Sequence, residues 1–230
     1  MEYSGSLEEL KKRVGLPKDI VDIVEKQLRP LFSNFKPDTP QYSLYSKSAK
    51  IIGEHYTNNT KWLLRQRDFA KIFAEGMDAS VLSREEKLVV LNFFKANYYL
   101  LLVELLGTSV IDKTILLVVG SGVDFHIDPD YQHRYARHVY TLEDLESPSL
   151  SLSVKLDFLC FYGLPLFSKF IDRNLRNKIA HLDFEIDAKG NVLVGGKTID
   201  LDEKTDRFIQ YYVCINEIFS EEEKKATISK

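Results

Sequence analysis

Cysteine is nearly missing from this chain. Cys160 and Cys214 are the only two in 230 residues; they lack metal-ligand spacing and both fall in apolar helical patterns. Two buried, reduced thiols are expected rather than a disulfide framework. Strong charge of either sign is also missing. The formal net charge of −3 argues against a protein that coats nucleic acid in bulk, since such domains are usually basic. No apolar run approaches the roughly 20 residues that a membrane span needs. The greasiest region, Leu88 to Val119, is interrupted by Lys95, Glu104, Asp112 and Lys113. The first residues, Met-Glu-Tyr-Ser-Gly, show no basic region followed by an apolar stretch. No secretory leader is therefore expected, and a cytoplasmic location is. Internal repeats and low-complexity tracts are absent as well.

What remains is a helical pattern with one interruption. Pro17 suits the first turn of a helix running to about Phe32, with Ile20, Val21, Ile23, Val24 and Leu28 tracing one face. A longer amphipathic helix is expected over 44–74. Ser83-Arg-Glu-Glu86 is a capping-box signature, and the apolar run behind it predicts a core helix to about Leu106, central to a bundle or partly in an oligomer interface. Lys113 to Val119 reads as a buried strand or as the end of another helix. A strong helix is expected from about Leu152 to Asn177, kinked at Pro165. Alternation from Asp183 to Ile199 around Ala188-Lys-Gly-Asn191 predicts a β-hairpin. A final helix follows from Leu201 to Phe219, then a fraying charged tail. The expected fold is thus mainly α, a helical bundle with a small β-hairpin at 183–199 before the last helix. Residues 1–80 form an N-terminal helical region, 81–220 the bundle, and 221–230 the tail.

One segment carries chemistry. It is Ile171-Asp-Arg-Asn-Leu-Arg-Asn-Lys-Ile-Ala-His181, with the core Arg176-Asn177-x-x-Ala180-His181. A guanidinium clamps phosphate oxygens in a bidentate fork, and an imidazole moves protons near neutral pH. On a helix, five residues separate the two side chains by about 140°, so they converge on one ligand only near a helix end or together with a second copy. From Lys169 to His181, the cations Lys169, Arg173, Arg176 and Lys178 face the single anion Asp172. That local surplus suits selective phosphate contact, with Arg173 and Lys178 as candidate phosphate ligands, although Arg173 reads first as the partner of an acid in a salt bridge.

These residues resemble the Arg-x4-6-His motif of the HEPN superfamily, helical domains that include many metal-independent ribonucleases. The resemblance implies a helical bundle with the motif shortly before the last helix, acting on RNA as a homodimer without a cofactor or metal. Arg176, Asn177 and His181 would be catalytic: His181 acts at the ribose 2′-hydroxyl, Arg176 stabilises charge on the phosphorane, and Asn177 orients the site. Toxin–antitoxin or antiviral roles, with an antitoxin or regulatory protein as partner, are further implications. HEPN-like domains also occur as non-catalytic interaction or nucleotide-binding modules, which is the alternative reading. Two other features compete. Asp124, His126, Asp128, Asp130, His133 and His138 could hold a divalent metal, although in a spacing that matches no metal signature. Tyr131, His133, Arg134, Arg137 and His138 could stack on RNA bases, although a solvated loop is the plainer reading. Val119-Gly-Ser-Gly122 lacks the further residues of a dinucleotide fingerprint or P-loop and reads as a loop or cap.

Overall fold

The computed structural model describes residues 15–32, 80–120 and 151–228, with scattered positions between 43 and 78. Much of the expected 44–74 helix, the acid- and histidine-rich stretch after Gly122 and the residues before Gly15 lie outside the described residues. Those described form a mainly α-helical structure with a small antiparallel sheet just before the last helix.

Helix α1, Lys18–Phe32, starts where Pro17 accepts from the amides of Ile20 and Val21 at 3.1 and 3.2 Å. It buries Ile20, Val21, Val24 and Leu28, a one-sided stripe at helical spacing. Each such side chain is worth at most about 1.5–3 kcal/mol of burial. Helix α2, Arg84–Leu102, begins with the expected capping box. Ser83 Oγ accepts from the Glu86 amide at 3.2 Å, and Glu86 accepts from the Ser83 amide at 2.8 Å. Ala96, Tyr99 and Leu102 of α2 are buried, whereas Phe93 on its outer side is 47% exposed.

The chain does not stop at Leu106. A π-helical turn, Val103–Gly107, leads directly into α3, Thr108–Gly120. The strand alternative for Lys113 to Val119 is therefore excluded, and Ile115, Leu116, Leu117 and Val118 are buried on a helix. Gly107 explains how the π turn packs: a Cβ there would lie 2.9 Å from Ile171 Cδ1 and 3.2 Å from the Phe208 ring.

The single helix expected from Leu152 to Asn177 is three helices. Helix α4, Leu152–Phe161, is capped by Ser151. It ends at Gly163, whose φ is 80°. The Gly163 amide donates to the Cys160 carbonyl at 3.1 Å and the Leu164 amide to that of Leu159 at 2.9 Å, a Schellman ending. The break thus falls at the glycine and not at Pro165, which instead precedes the short α5, Leu166–Phe170. Gln27 of α1 caps α5 by accepting from the Leu166 amide at 3.0 Å. After Ile171, Asp172 caps α6, Arg173–Ala180, accepting from the Leu175 amide at 3.0 Å. The expectation of two buried thiols holds for Cys214 but fails for Cys160, which is exposed at the end of α4; both are free thiols.

The sheet has three strands rather than the two of a hairpin: β1 Glu185–Ile186, β2 Val192–Val194 and β3 Lys197–Ile199, in the order β1-β2-β3. Its register pairs Glu185 with Leu193 and Val194 with Lys197. Val192 and Val194 point inward and are buried. The last helix, α7, Leu201–Ile228, spans 28 residues and runs past Phe219 through most of the expected tail. Asp200 Oδ1 accepts from the Asp202 and Glu203 amides at 2.9 and 3.0 Å, which starts it. Phe208, Tyr211, Ile215, Ile218 and Phe219 of α7 join the core, with Phe208 stacked on Phe170 at 4.7 Å. No helix among the described residues is long and apolar enough to cross a membrane.

Candidate functional site

The Arg176–His181 motif occupies α6 and the turn after it. Leu175 and Ile179 hold α6 on the core, so Arg176, Asn177 and Lys178 stay partly exposed on its other sides. The Nε of Arg176 donates to Glu104 Oε1, and its Nη1 donates to Asn177 Oδ1 at 2.9 Å. Glu104 sits on the π-helical turn, 36% exposed against 24% for Arg176. The asparagine amide thus orients its neighbouring guanidinium, and two of the five guanidinium N–H groups are occupied.

His181 is the C-cap of α6, its amide donating to the Asn177 carbonyl at 3.0 Å. Its side chain is exposed. Among the described residues, no hydrogen bond joins the imidazole to Arg176 or Asn177. The turn is made by Leu182, at φ 55°, a conformation that L residues other than glycine rarely hold. Leu182 N–H donates to the Ile179 carbonyl at 3.0 Å and Asp183 N–H to that of Lys178 at 2.8 Å. The same pair of bonds that ends α4 at a glycine here ends α6 at a strained leucine, directly after the histidine.

The basic surplus read from the segment is offset by acids from elsewhere. Arg173 Nη1 donates to both carboxylate oxygens of Asp157 at 3.1 and 3.3 Å. Lys178 pairs with Asp183 and Arg176 with Glu104. The two candidate RNA-phosphate ligands, Arg173 and Lys178, are therefore ion-paired in this structure. Such exposed pairs are weak, about 0–1 kcal/mol each, so a phosphate can displace them. Asp157 lies 16 residues before its partner and Glu104 lies 72 before, so spacing around the motif carried no sign of either. Glu104 had one signal, as one of two carboxylates inside the apolar run from Leu88 to Val119.

A cleft of about 530 Å³ opens beside the first turn of α6. Arg173 lies on its rim, together with Lys169, Lys204 and Arg207. Arg176, Asn177 and His181 are not among its lining residues. The structure therefore divides the predicted cations between two faces. Lys204 and Arg207 sit on α7 and were not singled out in the sequence, because helical charge there reads as a solvated face. Asp172, at the cleft edge, caps α6 and also accepts from Lys204 Nζ at 2.9 Å. Burial raises its pKa, but the Leu175 amide and Lys204 outweigh this and hold it below the ordinary value. Tyr99 borders the same cleft; burial, followed by the nearby Asp172 charge, pushes its phenol well above the ordinary value of 10.0.

The rival metal ligands Asp124, His126, Asp128, Asp130, His133 and His138 lie outside the described residues, as do Tyr131, Arg134 and Arg137. Compared with family models, curated proteins and solved structures, the chain matches none.

Proposed function

We propose that this chain is a HEPN-like, metal-independent endoribonuclease that works as a homodimer. One observation carries the reading. Arg176 is held in one orientation by Glu104 and Asn177, while the His181 imidazole is left exposed at a strained turn five residues on. A charge-stabilising group needs to be fixed, and a proton-transfer group needs to be accessible. The Nη2 edge of Arg176 remains to bind a phosphate oxygen.

In this mechanism His181 takes the proton of a ribose 2′-hydroxyl. The freed oxygen attacks the adjacent phosphorus, and Arg176 stabilises the charge on the phosphorane. The bond to the 5′ oxygen then breaks, and that oxygen leaves with a proton from the imidazole of the second copy. The products are a 2′,3′-cyclic phosphate and a 5′-hydroxyl. Two copies enter this mechanism through the HEPN resemblance, in which the arginine and histidine of two subunits meet across a dimer interface; His181 itself caps the end of α6 rather than continuing it. A protein that blocks this face would act as an antitoxin-like regulator.

The test is cleavage of a mixed RNA pool in the presence of EDTA, comparing wild type with His181→Ala. Cyclic-phosphate ends from wild type alone are expected, with unchanged melting of the variant. Equal cleavage by both proteins would remove the mechanism. A second reading, a non-catalytic HEPN-like interaction module, is favoured by the neutralisation of Arg173, Arg176 and Lys178 by carboxylates. Cleavage by neither protein would support it.

A further inference from the structure

The cleft beside α6 is not part of the reacting pair, yet it is built for an anion. Its rim sets Lys169, Arg173, Lys204 and Arg207 against Asp157 and Asp172, a surplus of two positive charges from four cations and two anions. The acids are already engaged, Asp157 by Arg173 at 3.1 Å and Asp172 by Lys204 at 2.9 Å. That leaves two cations. Lys169 is exposed and meets no carboxylate among the described residues. Arg207 reaches only the exposed Asp19, at 3.7 Å, and lies over the Tyr211 ring at 5.7 Å. The ring contact fixes the guanidinium plane without neutralising it. Phe170 and Phe208, stacked and buried, also line the cleft and give it an apolar wall. A volume of about 530 Å³ lies within the usual range of ligand pockets.

We infer that this cleft binds phosphate groups of an RNA strand, away from the bond that is cut, with Lys169 and Arg207 as its principal ligands. One cation without a carboxylate partner among the described residues and one held only in a long, exposed ion pair match a phosphate ester, and a forked guanidinium fits its oxygens. Arg173 links the two faces: it stands on the cleft rim and one turn before Arg176 on the same helix. A strand seated here would approach α6 from its first turn and run toward His181. The choice of RNA as occupant rests on the ribonuclease reading, whereas the phosphate chemistry of the cleft stands without it.

The test needs no catalysis. A labelled 2′-O-methyl oligoribonucleotide, which has no attacking hydroxyl, is titrated against wild type and Lys169→Gln/Arg207→Gln over a range of salt. Both side chains are exposed, and far-UV circular dichroism checks that the variant keeps its fold. The variant is expected to bind at least about tenfold more weakly, and its salt dependence should be shallower by about 1.4 in the log–log slope, the value for two lost single-strand phosphate contacts. Equal affinity of the two proteins, or no binding by wild type, overturns the inference. Calorimetry with inorganic phosphate separates the sources: binding of phosphate to wild type alone, with RNA affinity equal in both, would make the cleft a small-phosphate site and remove the RNA assignment. Cleavage of natural RNA, scored separately with His181→Ala, reports on the catalytic reading alone.

Discussion

At the scale of single residues, Asp172 ties the site to the fold. One carboxylate oxygen caps α6 and the other holds Lys204 of α7. Its pKa is lower in the folded chain than the ordinary value of 3.8, so folding favours the ionised form. That contribution is complete above the ordinary value and is lost as the pH falls through the lower folded value. Asp172→Asn keeps a capping oxygen but removes the charge. Urea unfolding should show it less stable by about 0.5–1 kcal/mol near neutral pH, the low end because the carboxylate is over one-third exposed. The gap should close as the pH falls through the lowered folded value, below which both proteins are neutral at this position. A gap constant with pH would show that the charge contributes nothing. Residue identities around Arg176, Asn177 and His181 were legible in the sequence because the motif is local. Glu104 was not, since its pairing with Arg176 exists only once the π turn and α6 pack together.

At the scale of elements, what could be read depended on whether the signal was local. Ser83 and Glu86 formed their capping box because both partners lie within one turn. The three-way split of 152–180 was partly legible: Gly163 is the kind of residue that ends a helix in the left-handed conformation, but the apolar pattern continued through it and concealed the break. The second turn of the sheet was likewise present as Gly195-Gly196. Both glycines have positive φ, 56° and 75°, as a two-residue hairpin turn between Val194 and Lys197 requires. The first turn, at Ala188 to Asn191, accounts for the alternation around it by itself, so the pattern did not demand a second. That first turn supplies a test of how the sheet sits on the bundle. Gly190 has φ 81°, and a Cβ there would lie 2.8 Å from Leu88 Cβ. Its carbonyl also accepts from Asn92 Nδ2 at 2.7 Å. Gly190→Ala is expected to cost about 2–4 kcal/mol through backbone strain and the clash with α2. Thermal melting would check this, and an unchanged midpoint would mean that the sheet is not anchored at Gly190.

At the scale of the whole molecule, α7 joins elements from both ends of the described chain. Phe208 packs under α5 and the π turn, while Glu221 and Glu222 receive Arg29 of α1 at 3.0 and 2.6 Å. Glu25 completes the group at 3.1 Å. Burial would lower the Arg29 pKa, but the three carboxylates overcome this and raise it further. The segment expected to fray is helical for this reason: Glu221 and Glu222 have a partner that is visible only in three dimensions. Arg29→Ala would leave three like charges facing one another without their shared cation. A loss of about 1–2 kcal/mol is expected, read as a midpoint lower by about 2–8 °C for a chain of this size. No shift would show that the apolar stripe of α1 suffices to hold it.

The bridge from Arg29 to Glu222 spans 193 positions in sequence, and this has a consequence for how the protein comes into being. Helix α1 leaves the ribosome with its apolar stripe ready well before α7, the helix that packs most against it. Until α7 follows, Ile20, Val21, Val24 and Leu28 lack most of the packing that buries them, since α3 and α5 cover α1 only in part, and contacts of such range form slowly. A chain halted before α7 would carry the whole Arg176–His181 segment yet lack the helix against which α1, α5 and the π turn close. Premature termination would thus yield a sticky, unfinished molecule rather than a smaller working one.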